Sequence, residues 1–277
     1  MSKKVRVGIV GTSWWADQMH LPSLKSDSRV EIGGICGQNP DRTNQMAQKY
    51  EVPRIFADYL EMIEIGNLEA LVVACPDHLH YPVTMKALEH GLHVVCEKPL
   101  ALNSNQAEQM YKKAESVGVK HMVFFTARWL PHYRYIKKLI EDGFIGRLYH
   151  CHIHRFVGSS TKSAAAWLDG HWRSDPSRSN GILGDLGSHH IDLARWFFGE
   201  ISTVSASLST FVSGEESKGE LHKFANNSAL LNVQFENGGQ GILHVSAVTH
   251  VGNRDHEWHI ILHGQRGTLQ ARFSVLN

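Results

Sequence analysis

Three residues of this sequence have the types and spacing to do chemistry: Lys98, Asp185 and His189. Lys98 stands in Glu97-Lys98-Pro99, directly after the run Leu92-His93-Val94-Val95-Cys96, which reads as a buried parallel strand. A lysine at the carboxyl end of such a strand lies where open α/β sheets bind their ligands. Glu97 can hold the ammonium, and Pro99 stiffens the turn by fixing φ. The bland alternative is a solvated Lys-Glu pair at a loop start, which is common and weak. Asp185 and His189 occur in Gly181-Ile-Leu-Gly-Asp185-Leu-Gly-Ser-His189-His190-Ile-Asp192. At a spacing of i, i+4 they share a helical face, and Asp192 lies three residues further on the same side. A carboxylate beside an imidazole orients it and stabilises its protonated form, which suits a general base acting on a hydroxyl. The alternative is an aspartate capping a helix, with histidines packed against the core.

The elements that must position these groups begin with a turn for nucleotide. Gly8-Ile-Val-Gly11-Thr12-Ser13-Trp14-Trp15-Ala16 joins the first apolar run to the first helical pattern. Aligned on the dinucleotide fingerprint GxGxxG/A, it supplies Gly11, Ser13 and Ala16. Ser13 replaces the second glycine; its hydroxyl could serve a phosphate oxygen, and the helix amino terminus still favours an anion. Trp14 and Trp15 either shape the pocket or pack the first helix. The second strand ends Ile35-Cys36-Gly37-Gln38-Asn39, so Gly37 stands where an acid usually binds the adenosine ribose. Without that acid a 2′-phosphate is not repelled, and Gln38, Asn39 and Arg42 could donate to it. The expectation is NADP in preference to NAD.

Residues up to about 125 alternate strand and helix patterns. Strands are expected at Val5 to Val10, Val30 to Cys36, Ile55-Phe56, Ala70 to Ala74, Val94 to Cys96 and Val123 to Phe125. Helices are expected at 15–25, Asp41 to Tyr50, Tyr59 to Ile65, Tyr81 to Glu89 and from an Asn103 or Ser104 cap to Ser116. Such alternation means a parallel sheet covered on both faces. A helix then runs near Tyr133 to Glu141, with Tyr133, Tyr135, Ile136 and Leu139 as its packed face. Alternating runs follow at 147–156, 201–211, 228–235, 240–248 and 257–263, with a hairpin signal at Asn237-Gly238-Gly239 and a long helix from about Leu183 to Phe198. This half reads as a mostly antiparallel sheet with one or two covering helices. The polar run 213–226 reads as a surface loop.

Bulk properties narrow the classes. A chain of 277 residues with 42% apolar and 20% charged residues suits about two globular domains. A net charge of +1 offers no field for nucleic acid or an anionic membrane, and neither is expected as a partner. No run approaches the roughly 18 apolar residues of a membrane span, and the amino terminus lacks a signal-peptide core. Cys36, Cys75, Cys96 and Cys151 show no CxxC pairing and read as free thiols of a cytoplasmic protein.

Taken in order, Gly11-Thr-Ser-Trp-Trp-Ala, Cys75-Pro76-Asp77-His78-Leu79-His80, Cys96-Glu97-Lys98-Pro99-Leu100-Ala101-Leu102, Trp172-Arg173 and Gly184-Asp185-Leu-Gly-Ser-His189-His-Ile-Asp192 resemble the glucose–fructose oxidoreductase / inositol dehydrogenase (Gfo/Idh/MocA) family. The resemblance covers essentially the whole chain. It implies an α/β chain: a Rossmann dinucleotide-binding domain at 1–125, then an α+β domain at 126–277 with an open, mostly antiparallel sheet. The second domain would bind substrate and mediate homo-oligomerisation, and the active site would lie between the two. Family members usually continue beyond the point matching Asn277, so the second domain is expected to lack its usual carboxyl-terminal end.

The resemblance also implies roles. Lys98 matches the lysine near the nicotinamide and the reacting oxygen. Asp185 and His189 match the catalytic carboxylate and histidine, with His189 the proton acceptor. Pro76 and His80 match the loop bordering the cofactor, and Glu97 adjoins it. Arg128, Trp172 and Arg173 match positions on the substrate side. The implied activity is hydride transfer between NAD(P) and a secondary alcohol of a sugar or cyclic polyol. Rival readings are an NAD-dependent glycosidase acting by transient oxidation and elimination, and a non-catalytic nucleotide-binding protein. His150, His152 and His154 alternate on one strand face and raise a zinc reading. Ligand-spaced carboxylates and cysteines are missing beside them, so no metal is expected.

Overall fold

Val/Ile/Leu-rich runs separated by capped amphipathic segments produce the first of two units, Met1–Phe124; the second is Phe125–Asn277. The computed structural model describes residues 3–158, 171–211 and 224–276. The first unit runs β1 (Val5–Val10), α1 (Leu21–Ser26), β2 (Val30–Cys36), α2 (Pro40–Tyr50), β3 (Ile55–Phe56), α3 (Tyr59–Ile65), β4 (Ala70–Val73), α4 (Asp77–Glu89), β5 (His93–Glu97), α5 (Ser104–Val117) and β6 (His121–Phe124). Its strands pair in parallel in the order β3-β2-β1-β4-β5-β6. The order reverses between β1 and β4, and the carboxyl ends there are the binding edge of such a sheet. Both faces are covered: one core includes Val10, Leu71, Val83 and Val94, the other Ile9, Ile35, Met46 and Val72. Local chemistry sets the helix ends. Asn39 accepts from the Arg42 backbone N–H, Asp58 from that of Leu60 and Asn103 from that of Gln106.

One helix start needs correction, and one helix carries an irregular turn. α4 begins at Asp77, not near Tyr81: Pro76 holds the N-cap position in extended conformation, and Asp77 places its acid in the first turn. Pro82 mimics a helix start in the sequence, but it sits inside the helix. The helix expected at 15–25 contains a π-helical turn, Ala16–His20, ahead of α1. One extra residue per turn changes which side chains face the sheet, and no short apolar pattern reveals it.

The second unit contains α6 (Pro131–Glu141), β7 (Leu148–Gly158), α7 (Ser188–Phe198), β8 (Ile201–Ser209), β9 (Ser228–Phe235), β10 (Gln240–Thr249), β11 (Arg254–Gly264) and β12 (Gly267–Leu276). The sheet order is β12-β11-β7-β10-β9-β8; β7 and β10 are parallel and every other pair is antiparallel. Asn237–Gly239 does form the β9–β10 hairpin, with Gly238 at φ +84°. The inner face packs Cys151, Ile153, Leu243, Val245, Ile260 and Leu262 against Tyr133, Ile136, Leu193 and Phe197 of the helices. Tyr135 leaves that packed face and is 61% exposed. The last expected run, 257–263, omits β12, although Leu269 and Ala271 alternate onto the core. The long helix also begins as a π-helical turn, Leu183–Gly187, before α7. Residues 213–223 of the polar run lie outside the described residues.

Candidate active site

In the first unit the chemistry gathers at the carboxyl edge of the parallel sheet. Gly11 turns at φ +120°, and a Cβ there would lie 2.2 Å from the Ala74 carbonyl oxygen. Only glycine allows the backbone this close, so the first fingerprint position is sterically required. Its N–H donates to the Cys36 carbonyl at 2.8 Å. The Ser13 hydroxyl, the departure from the fingerprint, accepts from the Ala16 N–H at 3.1 Å and so caps the following helix. Gly37 is crowded by side chains: a Cβ would lie 2.5 Å from Thr43 Oγ1 and 2.6 Å from Thr12 Cγ2. The acid absent from the end of β2 is therefore excluded by two threonines. Gln38 and Asn39 are exposed beside it, and the exposed Arg42 donates through Nε to the Thr12 carbonyl. This edge fits a dinucleotide: a glycine turn with no room for a side chain, a capped helix start and no repelling carboxylate at the ribose position.

The Lys98 turn is built by side chains. Glu97, 7% exposed, directs Oε1 to the indole N–H of Trp15 and to His20 Nε2, each at 2.8 Å. Its Oε2 accepts from the Lys98 backbone N–H at 3.2 Å. These contacts add an anchoring part to the carboxylate expected beside the Lys98 ammonium. Trp15 thus ties the first helix to the Lys98 turn, while Trp14 is 65% exposed. The Lys98–Pro99 peptide is cis. His80, 1% exposed, places Nδ1 2.7 Å from the Pro99 carbonyl and Nε2 2.9 Å from the Cys75 carbonyl. Burial holds its pKa below the ordinary value, opposed by the two carbonyls. His20, which no motif marked, reaches the site through the π-helical turn.

The second unit carries the other candidates. Asp185 lies in the π-helical turn and His189 in the first turn of α7, buried with its ring edge-on to Phe125 at 6.0 Å. Arg173 Nε is 3.5 Å from Asp185 Oδ2, and its guanidinium lies over Trp172 at 4.3 Å. Asp192 does not serve His189: Arg128 donates to its two oxygens at 2.7 and 2.6 Å. Arg128, the residue expected on the substrate side, also lies over Trp196. His190 is fully buried and donates through Nδ1 to the Leu186 carbonyl at 2.7 Å; burial drives its pKa down to about 3, and it stays neutral. Sequence reading missed Arg155, which stacks on Trp258 at 4.8 Å. Burial lowers its pKa, and Asp185, Tyr133 and Asp255 oppose that effect. The signal was available: Arg155 occupies the inward register of Cys151, Ile153 and Val157, where a charge is out of place.

His150, His152 and His154 do share one face of β7. His154 Nε2 is 3.5 Å from Glu257, and its ring is edge-on to His259 at 5.2 Å. Among the described residues no three His, Cys, Asp or Glu side chains converge on a metal position. Nor, among them, is any helix long and apolar enough to cross a membrane.

Residues 5–125 match the oxidoreductase family with an NAD-binding Rossmann fold, and residues 133–270 match the GFO/IDH/MocA C-terminal domain. The chain belongs to the Gfo/Idh/MocA oxidoreductase family. Levoglucosan dehydrogenase of Pseudarthrobacter phenanthrenivorans is 29% identical to this Gfo/Idh/MocA chain over 85% of its length and 63% of the relative's. The scyllo-inositol 2-dehydrogenase (NADP(+)) IolU of Bacillus subtilis is 28% identical over 76% of this chain and 64% of the relative. The WlbA dehydrogenase of Bordetella pertussis, solved with NADH and UDP-GlcNAcA, superposes with a TM-score of 0.86 at 26% identity, covering 99% of this chain and 75% of that one. Levoglucosan dehydrogenase with NADH and levoglucosan gives 0.85 at 27%, covering 97% and 73%. The chain spans 54 to 71% of the length of the first curated relatives it matches.

Proposed function

We propose that this protein is an NAD(P)-dependent dehydrogenase acting on a secondary alcohol of a sugar or cyclic polyol. The observation that carries the reading is Lys98 at the carboxyl end of β5, on the same edge as the Gly11 turn, in a family whose relatives include levoglucosan and inositol dehydrogenases. The first unit binds the dinucleotide; the second binds substrate and associates through its open sheet face. When bound, the nicotinamide supplies the hydride acceptor or donor. His189 takes the hydroxyl proton, and Asp185 stabilises the imidazolium that results. Lys98 donates to the reacting oxygen and stabilises the charge that develops on it. Trp172 and Arg173 border the substrate, with Arg173 also fixing Asp185 through their ion pair. Pro76, His80 and Glu97 line or support the cofactor side. The four free thiols suit a reducing compartment.

NADP is the preferred cofactor in this reading. Thr12 and Thr43 exclude an acid at Gly37, and Arg42 stands beside the turn to meet a 2′-phosphate. Turnover of a polyol and sugar panel with each cofactor tests both statements. His189→Ala and Lys98→Ala should each lower kcat by about 10²–10⁴-fold. Near-normal rates in both variants end the catalytic assignment, and a clear preference for NAD ends the NADP assignment. Cofactor binding without turnover across the panel supports a non-catalytic role instead.

A further inference from the structure

We propose that His80 is a positioning residue that sets Lys98 in register with the dinucleotide turn; this inference rests on the dehydrogenase reading above. Lys98 follows the last residue of β5, where the sheet ladder has ended. Side chains take over on both sides of it. Its own N–H donates to the Glu97 carboxylate, and the carbonyl of the following residue, Pro99, faces His80 Nδ1 at 2.7 Å. The other ring nitrogen of His80 meets the Cys75 carbonyl at 2.9 Å.

Cys75 is the residue after Ala74, whose carbonyl oxygen is the atom that forbids a side chain at Gly11. The contacts therefore form a continuous chain from the Gly11 turn through Ala74-Cys75 and the His80 ring to Pro99 and Lys98. A second chain runs parallel to it. The helix that leaves the Gly11 turn supplies Trp15 and His20, and both engage Glu97. The residues on either side of Lys98, Glu97 and Pro99, are thus each tied toward the loop that fits the pyrophosphate. Both ring nitrogens lie within hydrogen-bond distance of a carbonyl, and each hydrogen bond needs an N–H on the ring. A neutral ring donates to one of them and an imidazolium to both. Its 1% exposure keeps water from competing for either contact. A misplacement of about 1 Å at a reacting group costs on the order of 10²-fold in rate, so the tie has a kinetic consequence without touching substrate.

The test compares His80→Ala, His80→Gln and the core control Ile63→Ala, a buried residue of α3 that contacts neither carbonyl. Lysines are ¹³C-dimethylated and the Lys98 signal is assigned with Lys98→Arg. His80→Ala should shift or broaden the Lys98 signal in the protein without cofactor, and Ile63→Ala should leave it in place. In turnover, His80→Ala should lower kcat by about 10²-fold with a smaller change in KM for the dinucleotide, and His80→Gln should recover part of the loss. An unmoved Lys98 signal in His80→Ala, or equal movement in Ile63→Ala, overturns the inference. If His80→Ala fails to fold, the same comparison in His80→Gln decides. The signal is read without turnover, so an inactive wild-type protein would end the dehydrogenase reading while the positioning result still stood or fell by itself.

Discussion

Replacing Arg128 with alanine should destabilise the second unit, because this arginine is the counter-ion of a buried carboxylate. It forks onto Asp192 with hydrogen bonds of 2.7 and 2.6 Å, and Asp192 is only 8% exposed. Truncation leaves that carboxylate buried without the cation that pairs with it. Breaking a buried pair in this way costs about 3–5 kcal/mol. The Arg128 side chain is 43% exposed, so water already screens part of the attraction and the lower end applies. Loss of the guanidinium over Trp196 adds about 0.5 kcal/mol. Together these give about 3.5 kcal/mol, or a fall in Tm of roughly 7–14 °C for a unit of this size. Arg128→Lys keeps the charge without the fork and should fall between. The double variant Arg128→Met/Asp192→Leu should recover most of the loss, since it removes the orphaned charge. Calorimetry measures the change, and hydrogen exchange of the α7 amides assigns it to the second unit. A loss below about 1 kcal/mol in Arg128→Ala, or a double variant no more stable than the single one, refutes the buried-pair argument.

Further outcomes follow from the same geometry. Gly11→Ala forces a methyl group against the Ala74 carbonyl at positive φ; it should abolish dinucleotide binding and cost about 1–3 kcal/mol of stability. Fluorescence titration with NADH and NADPH checks this, and an unchanged Kd would contradict it. His190 has a pKa of about 3 in the fold, against about 6.5 in an unfolded chain. Between those values the unfolded chain binds the extra proton, so stability present above pH 6.5 is lost as pH falls toward 3, by up to about 1.4 kcal/mol per pH unit. His190→Gln should flatten that part of the acid limb in urea titrations at several pH values. Burial pushes the thiols of Cys75 and Cys151 up to about 12, that of Cys36 to about 11, and that of Cys96 well above its ordinary value. None should react readily with iodoacetamide until the protein unfolds, as mass spectrometry of labelled peptides would show.

Much of the first unit was legible because its signals are local. Each β-strand there is a short apolar run, and each of α2, α3 and α5 carries its cap in the adjoining residues. α4 misled because Pro82 imitates a first turn while the true start depends on Pro76 and Asp77. The two π-helical turns had no signature, since one inserted residue in a helix alters facing without altering composition. Each falls in a segment that bears on the site: one carries His20 to Glu97, the other carries Asp185. Asp192 and Arg128 show the limit of spacing arguments. Periodicity put Asp192 on the side of His189, but a carboxylate is claimed by the nearest cation, and that cation is 64 residues away in sequence.

Residue order alone determined the family, the parallel-then-antiparallel architecture and the identity of the candidate groups, because hydrophobic period, caps and glycine turns act over a few neighbours. The partners of those groups belong to tertiary structure. Glu97 reaches Trp15 and His20, His80 bridges the Cys75 and Pro99 carbonyls, Thr12 and Thr43 close the space at Gly37, and Arg155 turns inward under Trp258. A hydrogen bond or a steric contact acts over a few ångströms in space, and only the folded chain determines which distant residues come within that range.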